Sequence, residues 1–234
     1  MVDLYYSSDL NPKELVWWPL CEDVVQLHEG LPEWGGVSQP SLLLNRDGLA
    51  VFEPSFTHPF RIASEEVKRH ASANSMLCRA CGVAKTDFLV LDAFGGFGID
   101  ALALAHFSSV EVIERAPLTF VVLVELASRF NLPLTTSYGD GMDRIGSASA
   151  EFDVVYLDPM FPVRSKRALP NRAMQYLQLR DQEQENDLDL SALIAQAREA
   201  ASDRVVLKRR TKDPKIGSPN HSVSGKTVRF DVYR

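Results

Sequence analysis

The chain lacks the features that would put it in a membrane. No apolar run approaches the ~20 residues that span a bilayer. Its start, Met1-Val-Asp-Leu-Tyr-Tyr6, has no basic region followed by an apolar one, so no signal peptide is expected and a cytoplasmic location is. Cysteine is scarce. Cys21, Cys78 and Cys81 are too few, and odd in number, for a disulfide scaffold. Cys78-Arg-Ala-Cys81 has CxxC spacing, but there is no second CxxC or HxxxH pair to complete a zinc site, so no metal is expected and the thiols read as ordinary ones. An overall positive charge is also missing: the formal net charge is −6. That argues against nucleic acid until the distribution is considered. From Met160 onward there are 15 Lys/Arg and 9 Asp/Glu, a net of +6, whereas the preceding part carries 10 and 22, a net of −12. A basic C-terminal third on an acidic protein is compatible with a local polyanion-binding face. There are no internal repeats and no low-complexity segments.

With 234 residues, 45% of them hydrophobic, the chain can bury one sizeable core with a small appendage. Residues 1–85 read as a small N-terminal α+β subdomain. Val2–Tyr6 suits a strand, Glu14–His28 is partly helical, and Ser41–Phe52 reads as a β-hairpin around Asn45-Arg-Asp-Gly48, since Asp-Gly favours a tight turn. Glu65–Cys81 has helical character up to Gly82. Residues 86–234 then alternate strand and helix. Strands are expected at 88–94, 110–115, 134–138, 152–158 and 204–208, with helices at 99–107, 118–130 and 188–202. The alternating run Thr227–Tyr233 reads as an antiparallel last strand. This order predicts an α/β fold, a doubly wound and mostly parallel sheet with helices on both faces.

Phe88-Leu-Val-Leu-Asp-Ala-Phe-Gly-Gly-Phe-Gly-Ile-Asp100 organises that domain: a buried strand, a glycine turn over Gly95, Gly96 and Gly98, then a helix. Glycines let a backbone approach a ligand closely, although a tight turn that binds nothing has the same pattern. Ligands of such sheets sit outside the C-terminal strand ends. Those ends offer Asp92, Glu114-Arg115, Gly139-Asp140 and Asp158. A diphosphate would be repelled by so many carboxylates, whereas a ligand with hydroxyls, an amine and a cationic centre would not. Glu114, about 20 residues past the first glycine, is placed to accept from ribose hydroxyls, which suits NAD as well as S-adenosylmethionine. The G-G-x-G spacing, and Asp140 placed to accept from an adenine amine, favour the second. Asp158-Pro-Met-Phe161 then points to chemistry on an exocyclic amine. The Asp158 carboxylate and the Pro159 carbonyl can each accept one N–H and turn the nitrogen toward a methyl donor, and Phe161 can stack on the base.

Asp92-Ala-Phe-Gly-Gly-Phe-Gly98 resembles the first motif of class I S-adenosylmethionine-dependent methyltransferases, and Asp158-Pro-Met-Phe161 their amino-methylating motif. More narrowly, Val112-Ile-Glu-Arg-Ala-Pro117, Val155-Tyr-Leu-Asp-Pro-Met-Phe-Pro162, Lys166-Arg-Ala-Leu169, Arg204-Val-Val-Leu-Lys-Arg209 and Arg229-Phe-Asp-Val-Tyr233 resemble the RsmJ-type family, which methylates a guanine N2 of small-subunit ribosomal RNA. The resemblance implies a class I methyltransferase fold, S-adenosylmethionine as cofactor, and ribosomal RNA or the small ribosomal subunit as partner. It places Ile99-Asp100, Glu114-Arg115, Gly139-Asp140 and Asp158 around the cofactor. Together with strand-end position it gives the methionine end to Asp92, Gly95 and Asp100, and Gly98 of the same turn is also expected at the cofactor. Arg164, Lys166, Arg167 and Arg172 after the catalytic loop, and Lys208 and Arg209 after the fifth strand, are expected to contact RNA phosphates. An NAD-dependent oxidoreductase and a non-catalytic RNA-binding protein are the alternatives.

Overall fold

Apolar side chains alternate along the central strands and face two ways, so both faces of the sheet must be covered. A computed structural model describes residues 1–32, 37–83, 88–159, 171–182 and 188–234. Its first part holds β1 (Val2–Tyr6), β2 (Val25–Glu29), β3 (Ser41–Asn45) and β4 (Gly48–Phe52), followed by α1 (Ser64–His70) and α2 (Met76–Cys81). The strands form a sheet of order β2-β1-β3-β4. β1 pairs in parallel with both neighbours, and β3 and β4 form the hairpin expected around Asn45-Arg-Asp-Gly48. Gly48 takes φ +99°, which a side chain would strain, and the Asn45 side chain accepts from the Asp47 N–H at 2.9 Å.

Two expectations for this part are corrected. Glu14–His28 is not a helix: it contains short 3-10 turns, at Trp18–Leu20 and Glu22–Val24, and then β2. Pro19 breaks any longer helix, and β2 gains a backbone partner in β1 that no local signal announces. Glu65–Cys81 is two helices, because Ser75 caps α2 by accepting from the Cys78 N–H. Cys78 and Cys81 are fully buried on α2, and burial pushes both thiols up.

The second part contains β5 (Leu89–Asp92), α3 (Ile99–Ala105), β6 (Ser109–Glu114), α4 (Pro117–Ser128), β7 (Leu134–Tyr138), α5 (Gly141–Ser147), β8 (Phe152–Leu157), α6 (Arg172–Gln182), α7 (Leu190–Ala200), β9 (Ala201–Arg210), β10 (His221–Ser224) and β11 (Val228–Tyr233). The strands form a seven-stranded sheet of order β10-β11-β9-β8-β5-β6-β7. It is parallel from β7 to β9, and β11 pairs antiparallel with β9, as the alternation at Thr227–Tyr233 suggested. The short helix α5 and the edge strand β10 were not legible in the sequence. On one face Val90, Val112, Val154, Tyr156 and Val206 join a core that also includes α2, α3, α4 and the N-terminal sheet. On the other, Leu91, Ile113, Val155, Leu157, Val205 and Leu207 pack with α5 and α7. α7 is started by Asp189, whose Oδ1 accepts from the Ser191 and Ala192 N–H groups at 2.9 and 3.2 Å. Asp189→Ala is expected to lower stability by about 1 kcal/mol, read by urea denaturation. An unchanged midpoint would show that the helix does not depend on this cap.

The sheet order reverses between β5 and β8, where the chain runs first toward β7 and later toward β9. That reversal opens a crevice at the C-terminal strand ends. Among the described residues no helix is long and apolar enough to cross a membrane.

Candidate active site

A cavity of about 380 Å³ occupies that crevice, within the usual range for small-molecule sites. Asp92 and Gly95 reach it from β5 and the glycine turn, Ile99 and Asp100 from the start of α3, and Glu114 and Arg115 from the end of β6. Asp140 enters from the β7–α5 junction, and Asp158 and Pro159 from the end of β8. Gly98 and Gly139 do not line it. α1 supplies Glu66 and His70 to its wall, and α6 supplies Met174, Leu177 and Arg180. Phe161, Arg164, Lys166 and Arg167 lie outside the described residues.

The glycines serve different ends. A Cβ on Gly95 would stand 2.4 Å from Val112 Cγ2 and 3.0 Å from the Ile113 carbonyl oxygen, so this glycine lets the turn press against β6. Gly96 and Gly98 have φ of +53° and +80°, the left-handed region that glycine occupies without strain. The turn is anchored from the other side by Phe97, whose ring lies 5.9 Å from Tyr176 of α6 and 6.2 Å from Phe60, which follows the N-terminal hairpin.

Glu114 Oε2 accepts from the Gly96 N–H at 2.8 Å, and Oε1 from the Ala116 N–H at 2.7 Å. The carboxylate thus joins the glycine turn to the end of β6 and keeps further lone pairs for a ligand. Burial pushes it up to about 7 despite these two donors. An acid raised above its unfolded value takes up protons on folding. Its stabilising contribution is present below about 4.5 and is lost as pH rises through about 7. The wild type, measured against Glu114→Gln, is therefore expected to lose on the order of 2–3 kcal/mol between pH 5 and pH 8 in urea titrations. Parallel curves for the two proteins would contradict this.

Asp140 has a role that its strand-end position does not announce. Its Oδ1 caps α5, accepting from the Met142 N–H at 2.8 Å, and its Oδ2 is 3.7 Å from Arg115 Nη1. Of its two oxygens, Oδ2 is the one not used by the cap.

A cluster of charges shares the cavity. Lys208 Nζ donates to Asp100 Oδ2 at 2.7 Å and to Asp158 Oδ2 at 2.8 Å. Tyr156, wholly buried, donates its hydroxyl to Asp100 Oδ2 at 2.7 Å. His70 Nδ1 is 3.8 Å from Asp100 Oδ1. Burial pushes Asp158 up and the Asp100 charge adds to this, against the pull of Lys208. Burial also acts to raise Asp100, but Lys208 and the Tyr156 hydroxyl outweigh it and hold that carboxyl below its ordinary value. Asp92, 1% exposed, is raised by burial and by both neighbouring carboxylates. Burial works against the Lys208 ammonium, but its two carboxylates more than compensate, so it keeps its proton more tightly than an ordinary lysine.

Arg172, Lys208 and Arg209, expected at RNA phosphates, each have a partner within the chain. Strand alternation puts Lys208 on the face of Val206 and Tyr156, inside the cavity. Arg209, on the opposite face, is 8% exposed and lies 3.6 Å from Asp213. Arg172 donates to the His58 carbonyl at 3.0 Å and fastens α6 to the loop after the hairpin. Tyr156 and Gly141 were missed as cavity residues, and Lys208 was read as an RNA contact rather than as part of the cavity. For Tyr156 a signal existed, since it precedes Asp158 by two and so shares its face of β8.

Fold and site together define a class I S-adenosylmethionine-dependent methyltransferase. The family model described as "Putative SAM-dependent methyltransferase" matches residues 60–234. The chain belongs to the ribosomal RNA small subunit methyltransferase J family. It is 33% identical over 232 residues to that protein from Marinobacter nauticus, covering 86% of this chain and 82% of the relative. It is 36% identical over 189 residues to that of Rhodopseudomonas palustris, covering 74% and 88%. A SAM-dependent methyltransferase from Neisseria gonorrhoeae has the same fold, with a TM-score of 0.72 at 20% identity over 99% of this chain and 95% of its own. The cofactor is S-adenosylmethionine, and the oxidoreductase alternative is set aside.

Proposed function

We propose that this methyltransferase modifies an exocyclic amine, N2 of a guanine in small-subunit ribosomal RNA, and does so in the cytoplasm where ribosomal subunits assemble. The observation that carries the reading is the position of Asp158-Pro159. It ends β8 beside the glycine turn, in the same cavity as Asp92, Asp100 and Glu114. The name that the relatives carry supports the RNA class.

S-adenosylmethionine, when bound, supplies an electrophilic methyl group on a sulphonium. The chain's part is to hold the two reactants. Glu114 would hold the ribose hydroxyls, Asp140 Oδ2 the adenine amine, and Asp92 and Asp100 the cationic methionine end. Asp158 and the Pro159 carbonyl accept the two N–H bonds of the amine. That orients a nitrogen whose lone pair otherwise lies in the ring system, and orientation of this kind is worth orders of magnitude in rate. Phe161 stacks on the base, which must leave the helix to enter the cavity. Arg164, Lys166 and Arg167 remain the proposed phosphate contacts.

The test is transfer of a labelled methyl group to small ribosomal subunits lacking their native methylation, followed by digestion to nucleosides. Label in N2-methylguanosine is the expected result. RNA binding with no label in any assembly stage would instead support a non-catalytic assembly role.

A further inference from the structure

We propose that Lys208 is a positioning residue for methyl transfer: its ammonium, bridging Asp158 Oδ2 and Asp100 Oδ2, fixes which oxygen of Asp158 meets the acceptor amine and keeps that carboxylate an acceptor. The inference rests on the reading of Asp158 as the group that holds the amine. It departs from the expectation that Lys208 binds RNA phosphate.

Geometry carries it. The two Nζ distances, 2.7 and 2.8 Å, place one cation between two carboxylates that come from different elements, α3 and β8. The Lys208 side chain, 24% exposed, lines the cavity and spends its ammonium on two carboxylates. Among the described residues Asp158 Oδ1 carries no hydrogen bond. The bridge therefore spends Oδ2 on lysine and leaves Oδ1 as the oxygen for one N–H of the amine. A carboxylate free to rotate about its last bond would offer either oxygen.

The second consequence is ionisation. Among the described residues the titratable groups facing Asp158 and Lys208 are Asp92 from β5, Asp100 from α3 and Tyr156 from β8, with His70 of α1 beyond Asp100. Carboxylates this close raise one another, and the Lys208 ammonium is the opposing charge that draws Asp158 back down. The acceptor nitrogen gains the methyl carbon as the carbon–sulphur bond breaks. The sulphur keeps that bond's electron pair and leaves as the thioether of S-adenosylhomocysteine, and the nitrogen sheds one proton to Asp158 Oδ1. A protonated Asp158 would donate to the amine instead of accepting from it, and would have no room for that proton. Lys208, 2.8 Å from Asp158 Oδ2, is the cation that opposes this.

The test compares Lys208→Gln, which removes the charge but keeps a donor, with Lys208→Arg, which keeps the charge. S-adenosylhomocysteine binding is measured first, then single-turnover transfer to undermethylated small subunits from about pH 5.5 to 9, a range that brackets the ionisation of a raised carboxyl. Lys208→Gln is expected to bind S-adenosylhomocysteine, to transfer about 100-fold more slowly at neutral pH, and to recover part of that loss as pH rises. Its acid limb should lie at least about one pH unit above that of the wild type. Lys208→Arg should hold the wild-type limb and transfer within about tenfold. An unmoved limb in Lys208→Gln, an equal loss in both variants, or failure of both to bind S-adenosylhomocysteine would each overturn the proposal and make Lys208 a structural residue. Failure of the wild type itself to label RNA would instead strike the reading of the acceptor on which the proposal rests.

Discussion

Asp158→Asn is expected to lower methyl transfer by about 10²–10⁴-fold, the range for losing a group that manages a proton in the transition state, while S-adenosylhomocysteine still binds. The substitution is nearly isosteric, and two physical changes follow from it. The amide can accept with only one atom, so it satisfies either Lys208 or the incoming amine. If its oxygen turns to Lys208 Nζ, where Oδ2 now lies at 2.8 Å, its NH₂ faces the substrate amine and donor meets donor. If it turns the other way, the NH₂ faces the ammonium. Either way the acceptor nitrogen loses the group that orients it and relieves it of a proton. The cavity keeps Asp92, Asp100 and Glu114, so binding of the cofactor product should weaken by no more than about tenfold. Calorimetry with S-adenosylhomocysteine and a single-turnover assay separate the two effects. A variant that keeps more than about a tenth of the wild-type rate would remove Asp158 from its proposed role.

Gly141→Ala is expected to be the most damaging added methyl group among the described glycines. Gly141 opens α5 directly after the Asp140 cap and lies against the turn leaving β5. A Cβ there would be 1.9 Å from the Ala93 carbonyl oxygen, 2.8 Å from its carbon and 3.1 Å from its Cα. All three are backbone atoms, so no side chain can swing aside. Either α5 must withdraw from the sheet or the Asp92–Gly95 turn must move. Such overpacking costs about 3 kcal/mol or more, equivalent to roughly 6–12 °C in thermal midpoint for a chain of this length. Cofactor binding should weaken with it, because the displaced turn carries Asp92 and Gly95. Gly139→Ala is the control: a Cβ there would meet nothing within 4 Å, and its backbone is ordinary. Equal midpoints for the two variants would contradict the steric account.

The pair also shows where sequence reasoning stops. Gly139 is expected at the cofactor because it follows a strand; nothing local singles out Gly141. Which of two nearby glycines is indispensable depends on Ala93, nearly fifty residues away, and no local pattern reports a contact of that range. The glycine turn was legible as a turn, but the reason for Gly95 was not. It is needed for Val112 and Ile113 of β6, at least as directly as for a ligand. In the same way Lys208, Arg209 and Arg172 were legible as cations and not as partners. The charge total of the C-terminal third counts them alike. Only alternation along β9 and the docking of α6 on the hairpin loop decide that one enters the cavity, one is buried beside Asp213 and one holds a backbone carbonyl.

The sequence by itself determined the alternation of strands and helices, the antiparallel last strand, the strand-end carboxylates and the Asp-Pro step, because each is encoded by residues close in the chain. A two-residue period, a run of apolar residues and a helix start are local properties. Tertiary structure alone decided that β2 is a strand, that α5 exists and that Tyr156, Asp100 and Asp158 meet around Lys208. Those outcomes depend on which backbone finds a partner and which side chains converge from positions fifty or more residues apart. The burial that brings them together also sets their charge, since a carboxylate removed from water takes its protonation from the cation beside it.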